Sequence, residues 1–157
     1  MLPEVTIIHY DRPDARAEAT AVAIMEEAFD PKYGEAWSAR QIESFTVLSG
    51  VELHIAKIDG AQLGFAMTRH VADETELLLL AVRPSWRRKG IGQILINHCI
   101  GRARKQDIKV FHLEVRANNP ARYFYESLGF ENVHRRPNYY KGNDGTHYDA
   151  LSYHLQL

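Results

Sequence analysis

The sequence predicts an α/β protein with one mixed sheet and three or four flanking helices. Three observations carry that expectation. Seven short segments read as strands, apolar residues recur at helical spacing between several of them, and the second half runs strand, basic loop, helix, strand. At 157 residues, 45% hydrophobic and 25% charged, the chain is sized for a single domain, 1–157, with one sizeable core.

Val5 to Tyr10 reads as an opening strand, and Ala15 to Phe29 as a helix with Ala21, Ile24, Met25 and Ala28 on one face. Asp30-Pro31 stops that helix. Ser38 is the expected N-cap of a second helix reaching about Leu48, because Gln41 three residues later completes a capping box. Val51 to Ile58 alternates as a strand, and Asp59-Gly60 signals a tight hairpin that pairs it antiparallel with Gln62 to Val71.

Glu76 to Arg83 is the next strand, ended by Pro84. A helix begins near Ile91, with Ile91, Ile94, Leu95, Cys99 and Ala103 as its expected apolar stripe. Ile108 to Arg116 follows as a strand parallel to Glu76 to Arg83, through a right-handed crossover. Asn119-Pro120 opens a short helix that Gly129 ends after Leu128. Strands around Phe130 to Val133 and Tyr148 to Leu155 finish the chain.

Bulk properties exclude several classes of function. A net charge of -1 argues against a protein that grips nucleic acid or an anionic membrane surface. The longest apolar runs, such as Leu77 to Val82, are far below the ~20 residues needed to span a bilayer. The lone Cys99 builds no disulfide framework and no secretory leader precedes the first strand, so the expected setting is cytoplasmic. The eight histidines show no metal-ligand spacing, and no metal is expected.

Chemistry concentrates at Arg87-Arg88-Lys89-Gly90-Ile91-Gly92, where a strand enters a basic, glycine-containing loop and then a helix N-terminus. Unsatisfied backbone N–H groups and the helix dipole make such a junction an anion site, and a pyrophosphate is the expected ligand. Neither the Gly-Lys-Ser/Thr of a P-loop nor the G-x-G-x-x-G of a dinucleotide fold is present. On spacing alone, a solvated turn before a helix explains the loop equally well.

The loop resembles the coenzyme A signature R/Q-x-x-G-x-G/A of the GNAT superfamily, matched by Arg87, Gly90 and Gly92, and the flanks Leu80-Ala81-Val82-Arg83-Pro84 and Trp86 extend the likeness. A second motif, Asn118, Ala121, Tyr125 and Leu128-Gly129-Phe130, resembles the family pattern N-x-x-A-x-x-x-Y-x-x-L-G-F. The resemblance implies the GNAT fold, a mostly antiparallel sheet with a splayed parallel strand pair, and acetyl-CoA as cosubstrate. It further implies that Leu80, Ala81 and Val82 bond the pantetheine arm, that residues Arg87, Arg88, Lys89, Gly90, Ile91 and Gly92 hold the pyrophosphate, and that Asn118 supports the pantetheine. Tyr125 then stands beside the coenzyme sulfur, although Ala121, Phe124, Tyr125 and Leu128 also form one helical stripe that a core would use.

Leu113-Glu114-Val115-Arg116 resembles the base-bearing strand of ribosomal-protein-alanine N-acetyltransferases of the RimI type, which assigns Glu114 as general base. Glu35-Ala36-Trp37-Ser38 and Arg135-Arg136-Pro137-Asn138-Tyr139-Tyr140 resemble other parts of the same group, over roughly residues 35 to 157. The stretch from Arg116 to Asn118 is one residue shorter than the usual spacing. The implied reaction is direct attack of a protein N-terminal α-amine, on a ribosomal protein, upon the acetyl thioester in a ternary complex. Glu114 takes the proton, Tyr125 protonates the thiolate, and a backbone N–H at a strand bulge after Leu80 polarises the carbonyl. Trp37, His112, Tyr139 and Tyr140 are the expected acceptor-side residues. Two alternatives stay open: acetylation of a small-molecule amine, and a non-catalytic acyl-CoA sensor. A covalent route through Cys99 is disfavoured by its place in an apolar helical stripe.

Overall fold

A computed structural model describes residues 4–157 and contains a seven-stranded sheet in the order β1-β2-β3-β4-β5-β7-β6. In chain order the elements are β1 (Thr6–Tyr10), α1 (Ala15–Ala28), α2 (Ala39–Thr46), β2 (Val51–Ile58), β3 (Ala61–Val71), β4 (Glu74–Val82), α3 (Ile91–Lys105), β5 (Val110–Arg116), α4 (Ala121–Ser127), β6 (Glu131–Lys141) and β7 (His147–Gln156). Short 3-10 turns at Pro31–Tyr33 and Pro84–Trp86 complete the list. Only β4 and β5 run parallel; the other five neighbouring pairs are antiparallel.

The local signals act as their chemistry requires. Ser38 Oγ accepts from the Gln41 amide at 3.1 Å while Gln41 Oε1 accepts from the Ser38 amide at 2.7 Å, so α2 starts on a complete capping box. Asp59 and Gly60 both sit at positive φ, 47° and 82°, the geometry that lets a two-residue turn match the twist of β2 and β3. Asp14 caps α1 through the Ala17 amide at 2.9 Å.

Each sheet face is apolar where a helix covers it. Leu53, Ile55, Phe65, Met67, Leu79 and Ala81 pack under α1 and α2 with Ile24, Met25 and Ile42. Leu63, Ala66, Leu77, Phe111, Leu113 and Val115 pack under α3 and α4. The buried stripe of α3 is Ile91, Leu95, Ile96, Cys99, Ile100 and Ala103. Ile94, expected in that stripe, is exposed instead, because the helix lies on Ile96 and Ile100 one position around its axis.

Two strands differ from expectation. β6 continues from Val133 to Lys141, well past its expected end, because Asp149 on the facing strand holds an irregularity between Arg136 and Tyr140 that the sequence pattern does not reveal. β4 carries its bulge at Leu78 rather than after Leu80: Met67 and Thr68 pair with Leu79 and Leu77, leaving Leu78 without an opposite residue. The extra residue shifts the side-chain parity, so Leu77 and Leu80 join the α3 face while Leu79 and Ala81 join the other.

Beside the apolar stripe, the C-terminal half of α3 also borders a buried polar array. Glu52 accepts from Arg102 at 3.0 and 2.5 Å and meets His70 Nε2 at 3.0 Å, while His54 Nε2 meets Thr68 Oγ1 at 3.1 Å. Burial pushes His54 down to about 3, with His98, Arg102 and His9 pressing the same way against the opposing pull of Glu52. Glu52 is held below the usual carboxylate range: His70 and Arg102 outweigh the upward push of its own burial. Both shifts favour the high-pH form of the folded state. For His54 the stabilisation is whole above 6.5 and is lost as pH falls toward 3; Glu52 adds a loss below its ordinary 4.5. The thermal midpoint should therefore fall steadily on acidification from pH 6.5, and His54→Gln should flatten the fall between 6.5 and 4.5. A parent and variant with the same slope in that window, measured by calorimetry, would remove His54 as the cause.

Candidate functional site

The parallel pairing of β4 with β5 runs from Glu74 opposite Val110 to Leu77 opposite Leu113 and then stops. Beyond that point the strands diverge, and the β4 edge from Leu78 to Val82 has no strand on its β5 side. A cleft of about 1120 Å³ occupies the gap. Its walls include Leu78 to Val82, the loop residues Arg87, Arg88 and Gly90, the first turn of α3, Leu113 to Arg116, and Phe124 and Tyr125 of α4.

At one end is the N-terminus of α3. Gly90 is its N-cap at φ 81°, with no side-chain cap, so the amides of the first turn have no capping acceptor. The three loop cations are deployed differently. Arg87 Nη2 donates to the Ala28 carbonyl at 2.7 Å and so ties the loop to the end of α1. Lys89 lies 4.9 Å over the Trp86 ring and does not line the cleft. Arg88, exposed and lining the cleft, has no hydrogen-bond or ion-pair partner among the described residues.

In the middle stands Tyr125. It is buried against Phe124 and Phe130, with ring centroids 5.3 and 5.8 Å away, and it also lines the cleft, so the core and cleft readings of this residue are both met. Burial pushes its phenol well above the usual tyrosine range, which keeps the proton on it at neutral pH. Asn118 is outside the cleft lining: its amide oxygen accepts from Arg116 Nη1. The neighbouring Asn119 lines the cleft instead, and its side-chain oxygen accepts from the Ala121 amide at 2.9 Å just before α4. Of the two asparagines after Arg116, Asn119 is therefore the one on the cleft wall.

At the other end, Glu114 projects from β5 into the cleft. Its Oε1 is 3.2 Å from Arg136 Nη2 and accepts from Ser152 Oγ at 3.4 Å. Two residues on, Arg116 is buried, bonds Glu35 Oε1 at 2.7 Å, and stacks its guanidinium 3.4 Å from the Tyr33 ring centroid. That clamp holds the Pro31–Tyr33 turn and the following segment, with Trp37, over the cleft. Trp37 packs on Phe45 at 4.6 Å, as an anchored wall. Tyr140 lines the cleft, and its phenol is raised by burial and by the Glu35 and Glu114 carboxylates. Tyr139 points out, half exposed, and His112 packs beside His154 at 5.6 Å; neither lines the cleft. Cys99 is 1% exposed with its thiol raised by burial, a packed side chain.

Sequence reasoning missed Tyr33, Glu35, Arg116, Arg136 and Ser152. The alternation of β5 did put Arg116 on the face of Glu114, a usable signal; the others depend on pairings distant in sequence.

This fold, a sheet whose one parallel pair splays above a helix-capped loop, is shared with known acyl-transferring proteins. The GNAT acetyltransferase family model matches residues 21–130, and the chain belongs to that family. It is 42% identical over 88 residues to the [ribosomal protein bS18]-alanine N-acetyltransferase of Escherichia coli strain K12, covering 55% of this chain and 60% of that protein. The corresponding Haemophilus influenzae Rd protein is 34% identical over 100 residues, 63% of this chain and 68% of that one. The match thus spans about 60% of the length of the first of these relatives. The crystal structure of the ribosomal-protein-S18-alanine N-acetyltransferase from Escherichia coli superimposes with a TM-score of 0.84 at 31% identity, covering 98% of this chain and 94% of that one. Arabidopsis thaliana NAA60 in complex with acetyl-CoA shares the fold, with a TM-score of 0.77 at 19% identity over 97% of this chain and 99% of that one.

The two loop glycines separate by geometry. Gly90 needs a left-handed backbone although a Cβ there would meet nothing within 4 Å, whereas a Cβ on Gly92 would meet only Phe124 and Val82 at 3.8 and 3.9 Å. Gly90→Ala should therefore cost about 1 kcal/mol of unfolding free energy, while Gly92→Ala should be neutral or stabilising by a few tenths of a kcal/mol. Denaturant titration of both variants checks the contrast.

Proposed function

We propose that this protein transfers the acetyl group of acetyl-CoA to the N-terminal α-amine of a protein, a ribosomal protein with a small first residue such as alanine. The observation that carries the reading is the single cleft that brings together a free strand edge, a helix N-terminus, a protonated phenol and a carboxylate. In support, relatives 34–42% identical are named as ribosomal-protein-alanine N-acetyltransferases, and a protein of the same fold has been crystallised with acetyl-CoA. Ribosomal acceptors place the activity in the cytoplasm.

The residues fit the cosubstrate in order along the cleft. First-turn amides of α3, Gly92 and Arg88 suit the pyrophosphate; the cleft-facing backbone groups of Leu80 and Val82 suit the amides of the pantetheine arm, while Ala81, paired with Phe65 of β3, contributes its place in the wall. Asn119 takes the supporting role first expected of Asn118. In the acyl transfer, the neutral amine forms the new C–N bond as the thioester C–S bond breaks. Glu114 accepts the proton that the amine loses, directly or through one water, and Tyr125 donates one to the departing sulfur. A backbone N–H of the open β4 edge polarises the carbonyl. Direct attack suits the packed, raised thiol of Cys99, which a covalent relay would need as a thiolate.

The base also bears on acceptor choice. A terminal amine has a reference pKa near 7.8 and a lysine near 10.4, so neutral lysine costs about 3.5 kcal/mol more at neutral pH. Terminal amines are then the acceptors that one carboxylate can serve. Mass spectrometry of a peptide panel should show α-amine acetylation and little on internal lysine; a preference for lysine or for small polyamines would defeat the reading.

Tyr125→Phe should lower kcat by ~10²-fold with little change in acetyl-CoA affinity, since the ring that packs on Phe130 is kept. Unchanged turnover would return Tyr125 to the core alone. Gly92→Val, with a normal fold, should abolish the rise in melting temperature that acetyl-CoA gives the parent. Equal stabilisation of both proteins would move the pyrophosphate away from α3.

A further inference from the structure

Strand β6 is irregular just before Tyr140, the residue by which it lines the cleft. Arg136 pairs with Ala150 and Tyr140 with Tyr148, so residues 137–139 stand opposite Asp149 alone. The Asp149 carboxylate accepts from the Asn138 amide at 2.9 Å and from Arg135 Nε at 2.6 Å, and Asn138 takes the left-handed φ of 53° that the excursion demands. Built this way, the strand presents both Arg136 and Tyr140 on the face that carries Glu114 and Ser152, since Glu114 pairs with Ser152 and Arg116 with Ala150.

On that face both contacts to Glu114 fall on one oxygen. Arg136 Nη2 and Ser152 Oγ each meet Oε1, at 3.2 and 3.4 Å, and Oε2 has no partner among the described residues. A glutamate in a cleft has rotamers to spare, and a base must be held close to one geometry to act within a near-attack complex. We propose that Arg136 is a positioning residue: with Ser152 it anchors Oε1 of Glu114 so that Oε2 alone is turned to the acceptor amine. The assignment rests on Glu114 being the base.

The pair is too open to matter for folding. Arg136 is 50% exposed and stacks 5.3 Å from the ring of Tyr139, itself half exposed, and ion pairs of that exposure add little stability. Removing the arginine therefore separates positioning from packing. The same exposure lets a lysine reach the carboxylate from the strand.

A double-mutant cycle on the full chain tests this, with Arg136→Ala, Glu114→Gln and both together assayed by steady-state kinetics on an N-terminal alanine peptide. Arg136→Ala should lower kcat about tenfold while the KM for acetyl-CoA and the melting temperature stay put, and Arg136→Lys should recover part of the loss. In the Glu114→Gln background the same change should add less than about twofold, because no base is left to position. Equal losses in both backgrounds, or no loss in the parent, overturn the role of Arg136 and leave the base untouched. A Glu114→Gln variant as active as the parent removes instead the reading on which the role rests.

Discussion

The parting of β4 from β5 after Leu77 and Leu113 is the constraint from which the site follows. Within a sheet, every interior strand finds partners for its N–H and C=O groups on both sides. Here a central strand is left with one side bare over Leu78 to Val82, in a gap wide enough to hold about 1120 Å³. That edge is persistent because both strands are held from elsewhere. β3 pairs β4 through to Val82, with the Leu78 bulge taking up the parity change, and β7 pairs β5 through to Arg116. A bare strand edge can recognise another extended amide chain by its own hydrogen-bonding pattern, without a dedicated side chain.

Around that gap the ends of the cleft acquire opposite characters from ordinary local chemistry. The α3 end is electropositive, through uncapped amides and an unpartnered Arg88, whereas the β5 end gathers Glu35 and Glu114, each answered by an arginine. Tyr125 sits between them in an apolar setting that keeps it neutral.

Most of the fold was legible because its signals are local. The Ser38 box, the Asp59-Gly60 turn, the Pro84 stop and the alternation of β5 need no knowledge of distant residues, and each element begins or ends within a few residues of the expected place. The parallel pair, too, followed from chain order alone. What stayed hidden depended on partners far along the chain: the length of β6 depends on Asp149, the bulge at Leu78 on β3, and the true face of α3 on which isoleucines the sheet had room for. The site divides the same way. Motif residues Glu114, Tyr125, Gly90 and Gly92 line the cleft, whereas Lys89, His112, Tyr139 and Asn118 do not, their side chains being taken up by Trp86, His154, Tyr140 and Arg116.

The bond from Arg87 to the Ala28 carbonyl, with the ion pair of Arg83 and Glu27, fastens the basic loop to the last turn of α1. The segment that leaves that turn carries Tyr33, Glu35 and Trp37 across the opposite mouth of the cleft. Loop and segment form one mechanical unit, so stiffening at the first is felt at the second. By linkage, whatever ordering a phosphate gives to the acceptor mouth, the acceptor returns as tighter phosphate binding.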